Sequence, residues 1–165
     1  INYLMQSSTL GVDAATGGRL ISLYWGGAMV GRFIGSALMR RIAASTLLAA
    51  CACGAALLAG ISGISVGMVA AVAVLAVGLC NSIMFPTTFA LAIGNLGDKT
   101  PQGSGILCLA IVGGAVVPVI TGFTADRLGL TTALFVPAIC YLWIAAYGLL
   151  TRSTILDRKA VAEAA

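Results

Sequence analysis

The chain has 165 residues, of which 60% are hydrophobic and 8% charged, with no His and a formal net charge of +4. Soluble domains clothe their surface with about 25% charged residues, so this composition excludes an ordinary globular enzyme and requires an apolar solvent. With no His and five acidic residues, the usual acid–base catalysts and metal-ligand sets are also missing, and no catalytic residue, metal or organic cofactor is expected.

The chain starts at Ile1, without Met and without a charged segment before an apolar stretch, and is expected to be a piece of something longer. Ile1 to Met5 reads as the tail of a helix, and Gln6 to Gly18 as a polar loop. Crossing the hydrocarbon core takes about 20 mostly apolar residues. Five runs of that kind follow: Leu20 to Met39, Ile42 to Ile61, Val66 to Ile93, Gly105 to Phe123 and Ala133 to Leu150. The breaks between them are Arg40-Arg41, Ser62 to Ser65, Gly97 to Pro101 and Asp126 to Gly129. Backbone groups in lipid must be satisfied within the chain, so closely linked apolar runs are expected to be neighbouring helices. The expected architecture is therefore all-α, a polytopic transmembrane bundle over residues 1–151 with a solvated tail over 152–165.

Basic residues set the orientation. Alternate ends carry Arg40, Arg41, Lys99, Arg152, Arg158 and Lys159 on one side, against Arg19 and Arg127 on the other. The richer side is expected to be cytoplasmic, with the C-terminus on it. These cations lie at the ends of apolar runs and are not interleaved with aromatic residues on a polar face, so no nucleic-acid partner is expected. The bilayer is the expected surroundings. Cys51, Cys53, Cys80, Cys108 and Cys140 are scattered through apolar runs without a C-x-x-C spacing and read as small buried hydrophobes.

Arg32 is the clear charge inside a span. It lies seven residues before Met39, roughly 10 Å below the cytoplasmic end at about 1.5 Å per residue. Such a charge needs a carboxylate, backbone carbonyls or a wet cavity. Two roles stay open for it: a latch to a helix end, or contact with substrate or with a coupling carboxylate. On the same span Gly27, Gly31 and Gly35 recur every fourth residue, a small-residue face for close helix packing. Gly114, Pro118 and Gly122 form a second stripe in the fourth span, where proline permits a bend, and two such stripes suit helices that rock.

In the third span Asn81, Phe85 and Thr88 fall at i, i+4 and i+7, one face of a continuous helix, with Pro86 in the same stretch. An amide beside an aromatic ring in mid-membrane can bind a sugar through its hydroxyls and its flat C–H face. A hydrogen bond from Asn81 to a neighbouring helix is the competing role. Tyr24 and Trp25, near the outer end of the first span, read as interfacial belt residues or pocket residues.

Three strings resemble one family: Gly31-Arg32-Phe33-Ile34-Gly35 leading into Arg40; Phe85-Pro86-Thr87-Thr88-Phe89-Ala90-Leu91-Ala92-Ile93-Gly94-Asn95-Leu96-Gly97; and Gly113-Gly114-Ala115-Val116-Val117-Pro118 followed by Gly122 and Ala125-Asp126. They are similar to the fucose:proton symporter family of the major facilitator superfamily, which includes fucose and glucose/galactose permeases. The resemblance covers nearly the whole chain and keeps the motif order. It implies the end of the seventh helix and the eighth to twelfth helices of a twelve-helix transporter in a bacterial inner membrane. It further implies alternating access and proton-coupled sugar uptake, with the coupling carboxylates in an N-terminal half that this chain lacks. Phe85 falls where the family often has an aromatic residue facing the sugar. The Arg40-Arg41 turn resembles the superfamily's basic inter-helix loop. The competing functions are an antiporter for drugs or another solute within the superfamily, and a membrane scaffold without transport.

Overall fold

The computed structural model describes the backbone of residues 1–163 and the side chains of residues 1–152. Among these residues every regular element is helical. A short helix α1 (Asn2–Met5) leads through a loop into α2 (Ala14–Leu38). Then come α3 (Ala44–Ile64), α4 (Gly67–Asn81), α5 (Met84–Ile93), a 3₁₀ turn at Gly97–Lys99, α6 (Thr100–Ala110), α7 (Gly113–Leu128), α8 (Leu130–Ala133) and α9 (Phe135–Glu163).

Four helical stretches are long and apolar enough to cross a bilayer: Ala44–Ile64, Gly67–Ile93, Gly97–Leu128 and Leu130–Arg152. The expected span from Leu20 to Met39 corresponds to α2. Its 25 residues are long enough, since about 20 suffice, but Arg19, Arg32 and its glycines dilute its apolar character. α2 also begins earlier than expected, because the Asp13 carboxylate accepts hydrogen bonds from the Ala15 and Thr16 amides and caps the helix. The loop therefore ends at Asp13, and residues 14–18 are helical.

Other expected breaks shift for similar reasons. Ser62 and Gly63 stay inside α3, which ends only at Ile64. Small size serves packing there: a Cβ on Gly63 would lie 3.3 Å from the Phe135 ring. Ser62 is fully buried; its hydroxyl donates to the Ala70 carbonyl at 2.8 Å and lies 3.0 Å from the Tyr3 hydroxyl. The turn falls at Ser65 and Val66, before Gly67 at φ +64°. Asp126 and Arg127 belong to the last turn of α7, and the chain breaks at Gly129, whose φ of +92° favours glycine. α9 runs on past Arg152 to Glu163, so the expected tail begins as helix, while the side chains of 153–165, with the expected cytoplasmic Arg158 and Lys159, lie outside the described residues.

The core lies around α3, which packs against both α9 and α4, while α4 also carries α2. Leu48, Ala52 and Ala55 of α3 meet Val77 of α4, Met84 of α5 and Ala145 of α9 in one cluster. Lipid tails provide no hydrophobic drive between helices, so close backbone approach takes its place. Glycine permits that approach at Gly148 of α9, where a Cβ would lie 2.9 Å from the Ser45 carbonyl of α3. By contrast α6 and α7 bury no residue among those described and flank the bundle on its open side.

Candidate functional site

Neither the third nor the fourth apolar stretch is a continuous helix. α4 stops at Asn81 and α5 starts at Met84, with Ser82 and Ile83 between them. Pro86 accounts for this break, since it has no N–H for the Ser82 carbonyl and its ring crowds that carbonyl. The second break, at Ile111 and Val112, separates α6 from α7. Tight i to i+3 bonds mark it, from the Gly114 amide to the Ile111 carbonyl at 2.7 Å and from the Ala115 amide to the Val112 carbonyl at 2.9 Å. α7 continues through Pro118, so the interruption lies ahead of the proline where a bend was expected.

The second break, at Ile111, borders a pocket against α5. Phe85, Thr88 and Phe89 of α5 face Leu107 and Ala110 of α6, Ile111 and Gly114 around a cavity of about 340 Å³. The Phe85 and Phe89 rings are 6.0 Å apart and tilted, which gives the pocket an aromatic wall. Phe85 is 61% exposed, whereas Thr88 is half-buried and brings a hydroxyl into a largely apolar lining. Gly114 and Gly122 have open space where a Cβ would project. Gly114 therefore borders the pocket, and neither glycine is a helix contact.

Asn81 and Arg32 lie elsewhere. Asn81 does not line the pocket that holds Phe85 and Thr88. Asn81 Nδ2 instead donates to the Tyr24 hydroxyl of α2 at 3.0 Å, the interhelical bond that competes with a sugar role. Arg32 Nη2 donates to the carbonyl of Ser82, the C-cap of α4, at 3.4 Å. Tyr24 and Trp25 stack edge to face at 5.5 Å and line a second cavity of about 370 Å³ with Tyr3 and Tyr141.

The α2 glycine stripe is a contact face. A Cβ on Gly27 would lie 3.6 Å from the Leu79 side chain. On Gly31 it would overlap the Leu79 carbonyl and lie 2.7 Å from Ser82 Oγ, and on Gly35 it would overlap Ile83. The reciprocal Gly78 of α4 has no room for a Cβ against the Tyr24 carbonyl. Sequence reasoning passed over Gly78, although it lies three residues before Asn81 in a helix of small residues.

Apolar helices of this length packed in this way define a polytopic all-α membrane protein. Over 91% of its length the chain is 51% identical to a glucose/galactose transporter of Brucella abortus, covering 36% of that protein. Over 50% of its length it is 46% identical to a putative glucose/galactose transporter of Helicobacter pylori, covering 22% of it. An L-fucose-proton symporter of Escherichia coli is 40% identical over 42% of the chain and 17% of the symporter. The crystal structure of a major facilitator superfamily transporter, FucP, in the outward conformation superposes with a TM-score of 0.86 at 32% identity, over 91% of this chain and 37% of that one. No protein-family profile matches the chain. By fold it matches the major facilitator superfamily transporter, and by sequence it is similar to glucose/galactose transporters and L-fucose-proton symporters. It spans about a third of the length of the Brucella relative, at 36%.

Proposed function

We propose that the chain is the C-terminal portion of a proton-coupled sugar symporter, and that the pocket between the two broken helices forms one wall of its sugar path. The observation that carries this reading is the pocket between α5, α6 and the start of α7, where Phe85, Thr88 and Phe89 face Ile111 and Gly114. Transporter substrate sites are typically built beside discontinuous helices, and irregular backbone at membrane depth is tolerated where it is buried in protein or lines a cavity. At about 340 Å³, the pocket lies within the range for small-molecule sites. Phe85 and Phe89 offer faces for a sugar's C–H surface, and Thr88 offers a hydroxyl. The names of the relatives point to a hexose or a 6-deoxyhexose.

In this reading α2 is a fifth crossing, the C-terminus is cytoplasmic and the membrane is a bacterial inner membrane. The opposite wall and the proton-coupling carboxylates come from an N-terminal half. Alternating access then rocks the two halves about the sugar, and the proton gradient drives uptake.

The test is uptake of labelled glucose, galactose and fucose by proteoliposomes of the transporter that carries this chain. Uptake of at least one sugar is expected to rise when the proton gradient is directed inward and to collapse with a protonophore. Phe85→Ala and Thr88→Val are expected to raise KM several-fold. Flux of none of these sugars, or full activity in both variants, would overturn the reading.

A further inference from the structure

Pro86 leaves the Ser82 carbonyl without its helical donor, and that carbonyl belongs to a buried residue. Ser82 is 5% exposed, and Ile83 and Met84 beside it are 2% and 3% exposed. A buried, unpaired carbonyl is costly, most of all in lipid. The donor comes from another helix: Arg32 Nη2 of α2 reaches Ser82 O at 3.4 Å. The glycines on either side of Arg32 make that reach possible. Gly31 brings the α2 backbone against Leu79 and Ser82, and Gly35 brings it against Ile83, each contact too close to admit a Cβ. One turn of α2 is thus fitted around residues 79–83, with the guanidinium at the break itself.

We propose that Arg32 is a positioning residue for the Phe85–Thr88 pocket, supplying from α2 the hydrogen bond that Pro86 withholds and so fixing α5 against α2. The pocket's role as a sugar site rests on the reading above, whereas the latch itself stands on geometry alone. Arg32 does not touch the sugar; it sets where Phe85 and Thr88 stand. Because the bond joins two helices, its release frees α5 to pivot at Ser82 and Ile83, while the α3 core remains intact.

Proline supplies a specific test. In Pro86→Ala the residue 86 amide can donate to the Ser82 carbonyl, so Arg32 is no longer needed. Amide hydrogen exchange is measured on the transporter that carries this chain, in lipid nanodiscs, for wild type, Arg32→Met, Pro86→Ala and the double variant. Arg32→Met is expected to speed exchange across α5 by about tenfold, the equivalent of one hydrogen bond, while α3 exchanges as in wild type. Adding Pro86→Ala is expected to return α5 close to the wild-type rate, and Arg32→Lys, which keeps a donor, to fall between. Unchanged α5 exchange in Arg32→Met would overturn the assignment. So would α5 and α3 loosening together without rescue by Pro86→Ala, since Arg32 would then be a general packing residue. The same experiment with added glucose, galactose or fucose separates the two readings: rescue without protection of α5 by any sugar sinks the sugar pocket and leaves the latch standing.

Discussion

Gly31 of α2 lies so close to Leu79 of α4 that a Cβ would overlap the Leu79 carbonyl oxygen. The obstacle is backbone, which cannot move aside as a flexible side chain can. Gly31→Ala is therefore expected to cost about 1 to 3 kcal/mol, the range for overpacking a tight contact, and Gly31→Leu to abolish assembly. Gly26, with nothing within 4 Å of its Cβ position, is the control. Gly26→Ala is expected to be neutral or to gain about 0.5 to 1 kcal/mol from helix propensity. Melting in detergent checks both, and equal melting of Gly31→Ala and Gly26→Ala would remove the close contact from the account.

Asn81 and Tyr24 are joined by a hydrogen bond of 3.0 Å between α4 and α2 at an exposed position. Polar pairs between membrane helices average about 0.6 kcal/mol. Asn81→Leu and Tyr24→Phe are each expected to lower stability slightly, and the double variant to cost less than their sum by about that amount. A double-mutant cycle in detergent measures it. If Asn81→Leu leaves melting unchanged but weakens sugar affinity, Asn81 belongs to the substrate path after all.

The helices and the glycine face were legible because both are periodic. An apolar run of about 20 residues and a glycine every fourth residue need no tertiary knowledge to read. The two interruptions were less visible. Pro86 frees a carbonyl four residues upstream, so its break appears at Ser82 and Ile83, away from the proline itself. At Ile111 and Val112 the break falls within an apolar run and is marked in the sequence only by the Gly113-Gly114 pair that follows. Of the expected face, Phe85 and Thr88 line one pocket, while Asn81 bonds Tyr24 of α2. Carbonyls were among the partners expected for Arg32, yet Ser82 could not be singled out, because the pair lies fifty positions apart in sequence. The start of α2, however, carries a local signal: Asp13, a favoured N-cap residue, stands directly before Ala14 inside what reads as a polar loop.

That cap makes a pH-dependent device outside the apolar spans. The Thr16 hydroxyl and amide, followed by the Ala15 amide, hold the Asp13 carboxyl below its ordinary value of 3.8. A lowered folded pKa means that the charged form is favoured in the folded state. Its contribution is fully present above 3.8 and is lost as pH falls through the lowered value. Amide exchange in the first turn of α2, corrected for its intrinsic pH dependence, is expected to show fraying below that point. In Asp13→Asn, whose side-chain oxygen still accepts the cap bonds, the pH dependence is expected to vanish. A first turn equally protected at every pH in wild type would contradict this.

Ser62 ties together three segments. Its hydroxyl donates to the Ala70 carbonyl of α4 at 2.8 Å, and its own carbonyl accepts from the Tyr3 hydroxyl of α1 at 2.5 Å. The Gly67 amide donates to the Ser8 carbonyl at 2.9 Å, so the loop after α1 is held to the same turn. α1 has only four residues and cannot persist alone, because nucleating a helical turn is unfavourable. Its position thus depends on Tyr3 and Ser62. Ser62→Ala is expected to cost about 1 kcal/mol, the usual net value of a hydrogen bond, and Tyr3→Phe to release α1 while α3 stays protected. Because both variants act through one network, their effects are expected to be non-additive by at least about 0.5 kcal/mol. Melting in detergent gives the coupling, and amide exchange at residues 2–5 gives the location. Strict additivity, with unchanged exchange at α1 in Tyr3→Phe, would mean that α1 is held by Leu4 in the apolar core and that the polar cluster contributes nothing to its placement.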